Sequence, residues 1–348
     1  MKVFVAVFLC ILIVRNVRAQ YKECRNPNQR TGQCVDISWC PALMKSRSTN
    51  SGVHFILASF CGYDRNNQAL FCCTWDSDYD GEASNVLPLQ DTCGGDIVNL
   101  NILSGKKTVI SEFSWMALLY YRPLNGGNLV HKCAGSLINH RYVLTAAHCV
   151  TGRYILGIGR LVSVKLGVHD TRTAKDSISM AIEEIHVHEN YTDGYNFLND
   201  IALIRLESKV DYSATIRPIC LPSTVGNMGM SMRDGQLLYV SGWGRTLNGQ
   251  SSPTKLKVEV GYWNNIRCKA RYFEQHIALK DSQICAGGQK HADSCEGDSG
   301  GPLMSYHQGV WVLQGIVSFG YNCGLANWPG VYTKVASYDY WIKEKMRP

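Results

Sequence analysis

Three short segments carry residue types that could do nucleophilic chemistry. Gly297-Asp298-Ser299-Gly300-Gly301-Pro302 sets a serine among glycines. Open backbone around that hydroxyl lets successive amides point at one oxygen, as an oxyanion hole requires. A bare Gly-x-Ser-x-Gly run describes a β-turn equally well, but this one is accompanied. Thr145-Ala146-Ala147-His148-Cys149 ends an apolar run with a histidine, the base that a weakly nucleophilic serine needs. Asn199-Asp200-Ile201-Ala202-Leu203 puts an acid just before a buried strand, where a carboxylate can hold an imidazole in one tautomer. Taken together, His148, Asp200 and Ser299 describe acyl transfer by an activated serine.

The elements that must position these groups read as β-strands. From Ile102 onward, short apolar runs recur between Gly, Asn, Asp and Pro. They are 115–121, 142–146, 162–166, 201–206, 237–240 and 310–319. Many short β-rich runs with turn signals predict an all-β sandwich or barrel. The last segment, 338–346, brings Trp341, Ile342 and Lys345 to helical spacing and predicts a C-terminal helix.

The region before Ile102 has another character. Cys24, Cys34, Cys40, Cys61, Cys72 and Cys73 fall within 24–73, a stretch too short to bury much core without disulfides. Six cysteines allow 15 pairings, and spacing alone does not choose among them. Residues 74–92 hold Asp76, Asp78, Asp80, Glu82 and Asp91 among small polar residues and read as an exposed linker. At the start, Lys2, the apolar run 3–14 and the small residue Ala19 read as a secretory signal peptide over 1–19, too short to span a bilayer comfortably. No later segment is a membrane-span candidate.

Bulk composition narrows the choices. The chain has 348 residues, 45% hydrophobic and 18% charged, which suits one large or two modest globular domains. Of its 15 cysteines, Cys10 leaves with the signal. The even remainder argues for full pairing in an exported protein. Zinc fails as a rival, because no close cysteine pair is matched by a second at finger spacing. The net charge of +7 is spread out, with no Lys/Arg cluster, and argues against nucleic-acid binding.

The three motifs, in the order His, Asp, Ser, resemble the chymotrypsin/trypsin family of serine proteases over residues 102–348. The resemblance implies two six-stranded antiparallel β-barrels with the active site between them. It implies Ser299 as nucleophile, His148 as proton shuttle, Asp200 as its orienting acid, and the amides of Gly297 and Ser299 as oxyanion hole. Asp293 matches the floor of the primary specificity pocket, where a carboxylate favours Arg or Lys. Ser294, Tyr272, Gly320 and Gly330 fit the same trypsin-like pocket pattern. The 24–73 module, with its adjacent Cys72-Cys73 and its place before a linker, resembles the clip domain of arthropod clip-domain serine proteases. That resemblance implies Cys24–Cys72, Cys34–Cys61 and Cys40–Cys73 there. In the peptidase domain the family implies Cys133–Cys149, Cys268–Cys285 and Cys295–Cys323, with Cys93–Cys220 tethering a light chain.

The family is switched on by one cut, after which the new N-terminal ammonium pairs with the acid before the nucleophile, here Asp298. Ile102-Leu103-Ser104-Gly105 matches the new terminus, which places the activation site within the 74–101 linker and tether. The residue before it is Asn101, where most relatives have Arg, Lys or Leu. The enzyme's own expected specificity therefore cannot make this cut. Val168 stands where many relatives begin a calcium loop, and Pro329 where sodium-activated relatives carry an aromatic residue. Neither metal nor cofactor is expected. His186 and His188 share a strand face without a third ligand and read as surface residues. Asn190-Tyr191-Thr192 is a glycosylation sequon in a polar loop.

The reading is a secreted zymogen, in the haemolymph by resemblance, cleaving after Arg or Lys. Its expected partners are a downstream zymogen, a prophenoloxidase or a cytokine precursor as substrate, an upstream activating protease, and inhibitory serpins. Two disulfide-linked chains of a monomer would follow activation. A clip-domain regulatory cofactor that is never processed is the rival, kept open by Asn101, and a venom protease is a third reading.

Overall fold

The computed structural model describes residues 22–27, 31–45, 47, 50–74, 86–88, 92–95, 108–173, 177–225, 232–246, 249–289, 297–307, 309–321 and 325–347. They fall into two compact units divided between Val86 and Leu87.

In the first unit a four-stranded antiparallel sheet is built from β1 (Glu23–Arg25), β2 (Thr31–Asp36), β3 (Phe60–Tyr63) and β4 (Ala69–Cys73), in the order β1-β2-β4-β3. Two short helices, α1 (Pro41–Lys45) and α2 (Asn50–Ala58), lie between β2 and β3 in the chain. The core is small: Val35, Leu43, Phe55 and Ile56 around Cys40 and Cys73. Three disulfides, Cys24–Cys72, Cys34–Cys61 and Cys40–Cys73, cross-link it. Such staples constrain the unfolded chain where apolar burial is limited.

The second unit holds two closed six-stranded barrels. The first comprises β5 (Met116–Arg122), β6 (Val130–Leu137), β7 (Tyr142–Thr145), β8 (Arg160–Leu166), β9 (Ile178–Val187) and β10 (Ala202–Leu206). A short helix, α3 (Arg153–Ile158), precedes β8. The second barrel comprises β11 (Leu237–Gly242), β12 (Leu256–Trp263), β13 (Gln283–Gly287), β14 (Pro302–His307), β15 (Val310–Phe319) and β16 (Pro329–Lys334). Helix α4 (Asn265–Phe273) connects β12 to β13, and α5 (Asp339–Lys345) closes the chain. All strand pairs are antiparallel, and closure leaves no open sheet edge. The all-β expectation with a C-terminal helix holds.

Aromatic packing joins the barrels. Phe113 meets Trp311 edge to face at 5.0 Å, and the Trp115 indole N–H donates to the Met304 sulfur at 3.2 Å. The stretch read as exposed linker changes character at Leu87, which is buried in the barrel core. Its apolar side chain follows a run of acids whose composition masks it. The Cys93–Cys220 disulfide then fixes the tether. Gly94 lies there at φ +65°, its N–H on the Pro218 carbonyl and its own carbonyl accepting from Trp311 N–H. An added Cβ would stand 2.3 Å from the Trp311 carbonyl, so only glycine fits. No helix among the described residues is long and apolar enough to cross a membrane.

Candidate active site

His148 sits in a single 3-10 turn, Ala147–Cys149, directly after β7. Asp200 lies two residues before β10, which pairs with β7 through Ala202↔Thr145. That register delivers the acid to the base. The His148 backbone N–H donates to Asp200 Oδ1 at 2.9 Å, and Nδ1 lies 2.8 Å from Oδ2. Both residues are buried, Asp200 completely. A carboxylate only accepts, so Nδ1 carries the hydrogen and Nε2 keeps a lone pair. Two further hydroxyls secure the acid: Ser318 donates to Oδ2 at 2.5 Å, and Thr333 to the Asp200 carbonyl at 2.8 Å. Sequence reasoning did not assign these roles, because β15 and β16 reach Asp200 only through barrel closure.

Ser299 precedes β14. Its carbonyl accepts from Ala134 N–H at 2.8 Å, and Gly300 N–H donates to the Val317 carbonyl at 2.9 Å. Ala134 adjoins Cys133, whose disulfide to Cys149 leads back to His148. The nucleophile's backbone is thus tied to the histidine's turn through one strand and one disulfide. Among the described residues no hydrogen bond joins Ser299 Oγ to His148 Nε2. Such contacts commonly tighten only when substrate binds. Gly300 has φ +76°, and a Cβ there would lie 2.2 Å from Thr145 Oγ1.

The acid before the nucleophile has its own cradle. Asp298 Oδ1 accepts from Gly244 N–H at 2.8 Å. Cβ atoms at Gly242 and Gly244 would lie 2.1 Å and 2.4 Å from the Asp298 carboxyl group. Both glycines are therefore space for this side chain, a role the sequence did not reveal.

Around His148 the rim is aromatic. Tyr154 meets the imidazole edge-on at 5.2 Å and Phe197 at 5.8 Å. The Tyr154 side is latched by Arg153, whose backbone N–H and guanidinium both reach Asp193. The Arg153 amide's hydrogen bond holds the Asp193 carboxyl below its ordinary pKa, aided by the guanidinium. On the other barrel, Gly320 follows β15 and faces Gly330, with 3.9 Å between an added Cβ and the Gly330 Cα. Tyr272 is buried behind this wall, and its hydroxyl donates to the Pro329 carbonyl at 2.6 Å.

Asp293, Ser294, Cys295, Cys323, Asn101 and Ile102 lie outside the described residues, so the pocket floor, one expected disulfide and the activation bond do too. Cys268–Cys285 joins α4 to β13. Asn190 is exposed, and its carbonyl accepts from the Asn199 amide. His188 departs from the surface reading. It is half-buried against Tyr338 and Trp341, each 5.3 Å away, and burial lowers its pKa. Sequence spacing put it on a strand face but could not see α5 covering it. Among the described residues one group, Cys133, His148 and Cys149, has metal-ligand proximity. Its two sulfurs are joined to each other, so neither offers the thiolate a metal needs.

Comparison with known proteins agrees with this architecture. The trypsin family profile matches residues 102–342, and the profile of the regulatory CLIP domain of proteinases matches 24–73. Serine protease 7 of Drosophila melanogaster is 39% identical over 389 residues, covering 99% of this chain and 98% of its own. Phenoloxidase-activating factor 1 of Holotrichia diomphalia is 39% identical with 99% of each chain covered. The Spaetzle-processing enzyme of Drosophila melanogaster is 38% identical, covering 91% of this chain and 89% of its own. On these matches and this fold, the chain belongs to the clip-domain serine proteases, and its double barrel is a trypsin-like serine endopeptidase domain.

Proposed function

We propose that Ser299 is the nucleophile, His148 the base and Asp200 the orienting acid of this endopeptidase. The observation that carries the reading is the pair of hydrogen bonds by which buried Asp200 holds His148. With Nδ1–H so engaged, Nε2 takes the proton as Ser299 Oγ attacks the scissile carbonyl carbon. The N–H groups of Gly297 and Ser299 meet the oxyanion. His148 then protonates the leaving amine, and in the second half the same base activates water against the acyl-enzyme.

Specificity for Arg or Lys rests on Asp293, with Ser294, Gly320 and Gly330 shaping the pocket. The protein is a secreted zymogen cut between Asn101 and Ile102, its new ammonium pairing with Asp298. Cys93–Cys220 would keep the two chains joined. Relatives named for phenoloxidase activation and Spaetzle processing support a protein substrate in an extracellular arthropod cascade, either a prophenoloxidase, a downstream zymogen or a cytokine precursor. Serpins are its expected inhibitors. The exposed sequon at Asn190 supports glycosylation there. Asn101 favours one second reading, an unprocessed regulatory cofactor.

The test is N-terminal mass spectrometry on chains labelled by a fluorophosphonate probe in the native fluid. A labelled heavy chain starting at Ile102 is expected. Processed chains without label overturn the protease reading and leave the cofactor.

A further inference from the structure

The loop that delivers Asp200 begins at a histidine. It leaves β9 at His188, whose N–H donates to the Ile201 carbonyl at 3.2 Å and closes the loop at its base. His188 Nδ1 accepts from the Asn190 N–H at 3.2 Å, and the Asn190 carbonyl accepts from the Asn199 amide at 2.7 Å. Asn199 directly precedes Asp200 and has φ +55°. Left-handed values of this kind persist only where surrounding contacts over-determine them. The second contact comes from the C-terminal segment, where the Tyr338 hydroxyl donates to Asn199 Oδ1 at 2.9 Å. Residues 188, 190, 199 and 338 thus form one hydrogen-bonded line, and Asp200 follows its strained member in the chain.

Only neutral His188 completes that line. A neutral imidazole with its hydrogen on Nε2 presents a lone pair at Nδ1; an imidazolium donates from both nitrogens and sets a donor against the Asn190 N–H. Turning the ring over is no remedy, because a ring carbon would then face Asn190. The ring is also packed against Tyr338 and Trp341, each 5.3 Å away. The charged groups that act on it are Glu189, its neighbour in the chain, and Lys345 of α5, which pair with each other at 2.5 Å. On β9, His186 lies 3.6 Å from Glu184. Burial beneath α5 outweighs the Glu189 carboxylate and lowers the His188 pKa, so the neutral form is resident at pH 7.

We propose that neutral His188 is a positioning residue for Asp200, acting through Asn190 and Asn199, and that its protonation loosens Asp200 from His148 and gives the enzyme an acid ionisation separate from that of its base. With Nδ1 protonated, the Asn190 turn shifts and its carbonyl releases the Asn199 amide. Asn199 then relaxes from its left-handed conformation, and Asp200 moves with it. Ser318 and Thr333 keep their own hold on Asp200, so the loss of activity is partial. The proposal rests on the assignment of His148, Asp200 and Ser299 as the catalytic groups.

The test measures kcat and KM against pH for the processed full-length chain, on a small ester that the wild-type enzyme turns over. Rates are normalised by active-site titration. His188→Asn cannot titrate in this range, yet it keeps a side-chain oxygen for the Asn190 N–H, as in an Asx-turn. At about pH 8 it should match wild type within about twofold, since both then hold the line. As pH falls, wild type should decline more steeply and end about tenfold below His188→Asn, the difference lying in kcat. His188→Phe has no acceptor, and its kcat should be about tenfold low at every pH with KM little changed. Tyr338→Phe breaks the line at its far end and keeps the test alive if the His188 variants fold poorly. Its kcat should fall at about pH 8, and its acid decline should be as shallow as that of His188→Asn. Acid limbs of equal steepness in wild type and His188→Asn, or a wild-type kcat in His188→Phe, overturn the role of His188. If neither His188 variant folds, a Tyr338→Phe acid limb as steep as that of wild type overturns it. Failure of the catalytic assignment would show instead as Ser299→Ala retaining activity.

Discussion

His148 donates to Asp200 twice, from its backbone N–H to Oδ1 at 2.9 Å and from its ring to Oδ2 at 2.8 Å. The first bond fixes the acid against the main chain; the second then sets the tautomer of the ring. Asp200→Asn separates these functions. Asparagine can still accept from the main chain with Oδ1, but it turns an NH2 donor toward Nδ1. The imidazole must then carry its hydrogen on Nε2, where the Ser299 proton should go. We expect kcat to fall about 10⁴-fold. Thermal denaturation should move little, and the fluorophosphonate labelling rate should fall in step with kcat. Labelling at the wild-type rate would show that Asp200 does not set the tautomer.

A methyl group at Gly244 should disable the site without touching a catalytic residue. Its Cβ would stand 2.4 Å from the Asp298 carboxylate, whose Oδ1 depends on the Gly244 N–H. Asp298 would be pushed away, and the amides flanking it would lose their aim. Removal of one oxyanion donor costs about 2.7–4 kcal/mol of barrier. Gly244→Ala should therefore lower kcat on peptide substrates roughly 10²- to 10³-fold, while proteolytic processing of the chain proceeds at its normal rate. Equal kcat for the variant and the parent would remove Asp298 from the oxyanion machinery.

How much of this was legible before folding depended on the range of the interaction. Six apolar runs read as strands are strands β5, β7, β8, β10, β11 and β15. Strand β9 was not among them, because ISMAIEEIHV buries only Met180 and breaks the apolar run with two glutamates. Strand β13 hides behind a polar Gln283, a cysteine and a terminal glycine, although every residue in it is buried. Helix α3 was not foreseen either; its internal Gly157, the glycines that flank it and the lack of a capping side chain leave little local signal. The three catalytic candidates stand out because each lies in a distinctive local motif. Ser318, Thr333 and Gly244 act on residues 54 to 133 positions away, and nothing in their own neighbourhood announces it.

Beside the segment leading into β5 lies a buried ion pair. Lys257 Nζ bonds Glu112 Oε1, with each side chain 8% exposed. Lys255, 2% exposed, places its ammonium on the Glu112 and Phe113 carbonyls, and its own carbonyl accepts from Thr108. Breaking a buried pair leaves a desolvated charge and costs about 3–5 kcal/mol, whereas replacing both partners by apolar groups is often neutral. Lys257→Met should accordingly lower Tm by roughly 6–20 °C at the usual sensitivity of about 2–4 °C per kcal/mol for this size. Glu112→Leu combined with Lys257→Met should recover most of that loss. A double-mutant cycle by thermal denaturation measures the coupling. Additive losses would show that the pair contributes nothing beyond its separate side chains.

Acid should loosen the C-terminal helix in two stages. Glu189 accepts from the Lys345 ammonium at 2.5 Å and the Trp341 indole at 2.9 Å. These bonds, the one from Lys345 foremost, hold its pKa down to about 2, from an ordinary 4.5. Neighbouring His188 is shifted below its ordinary 6.5, chiefly by burial beneath Tyr338 and Trp341. Both shifts are downward, so in each case the unfolded chain binds the proton first and stability rises with pH. The His188 contribution is complete above pH 6.5 and is lost as pH falls through its folded value; the Glu189 contribution is complete above pH 4.5 and is lost toward about pH 2. Tm measured against pH should therefore decline in both windows. Glu189→Gln keeps an acceptor for Trp341 but cannot titrate, and should flatten the lower window alone. His188→Phe keeps an aromatic ring against Trp341, gives up the acceptor that Asn190 N–H uses at 3.2 Å, and should flatten the upper window while lowering Tm throughout. A decline that keeps its full slope in both variants would place the acid sensitivity elsewhere in the barrels.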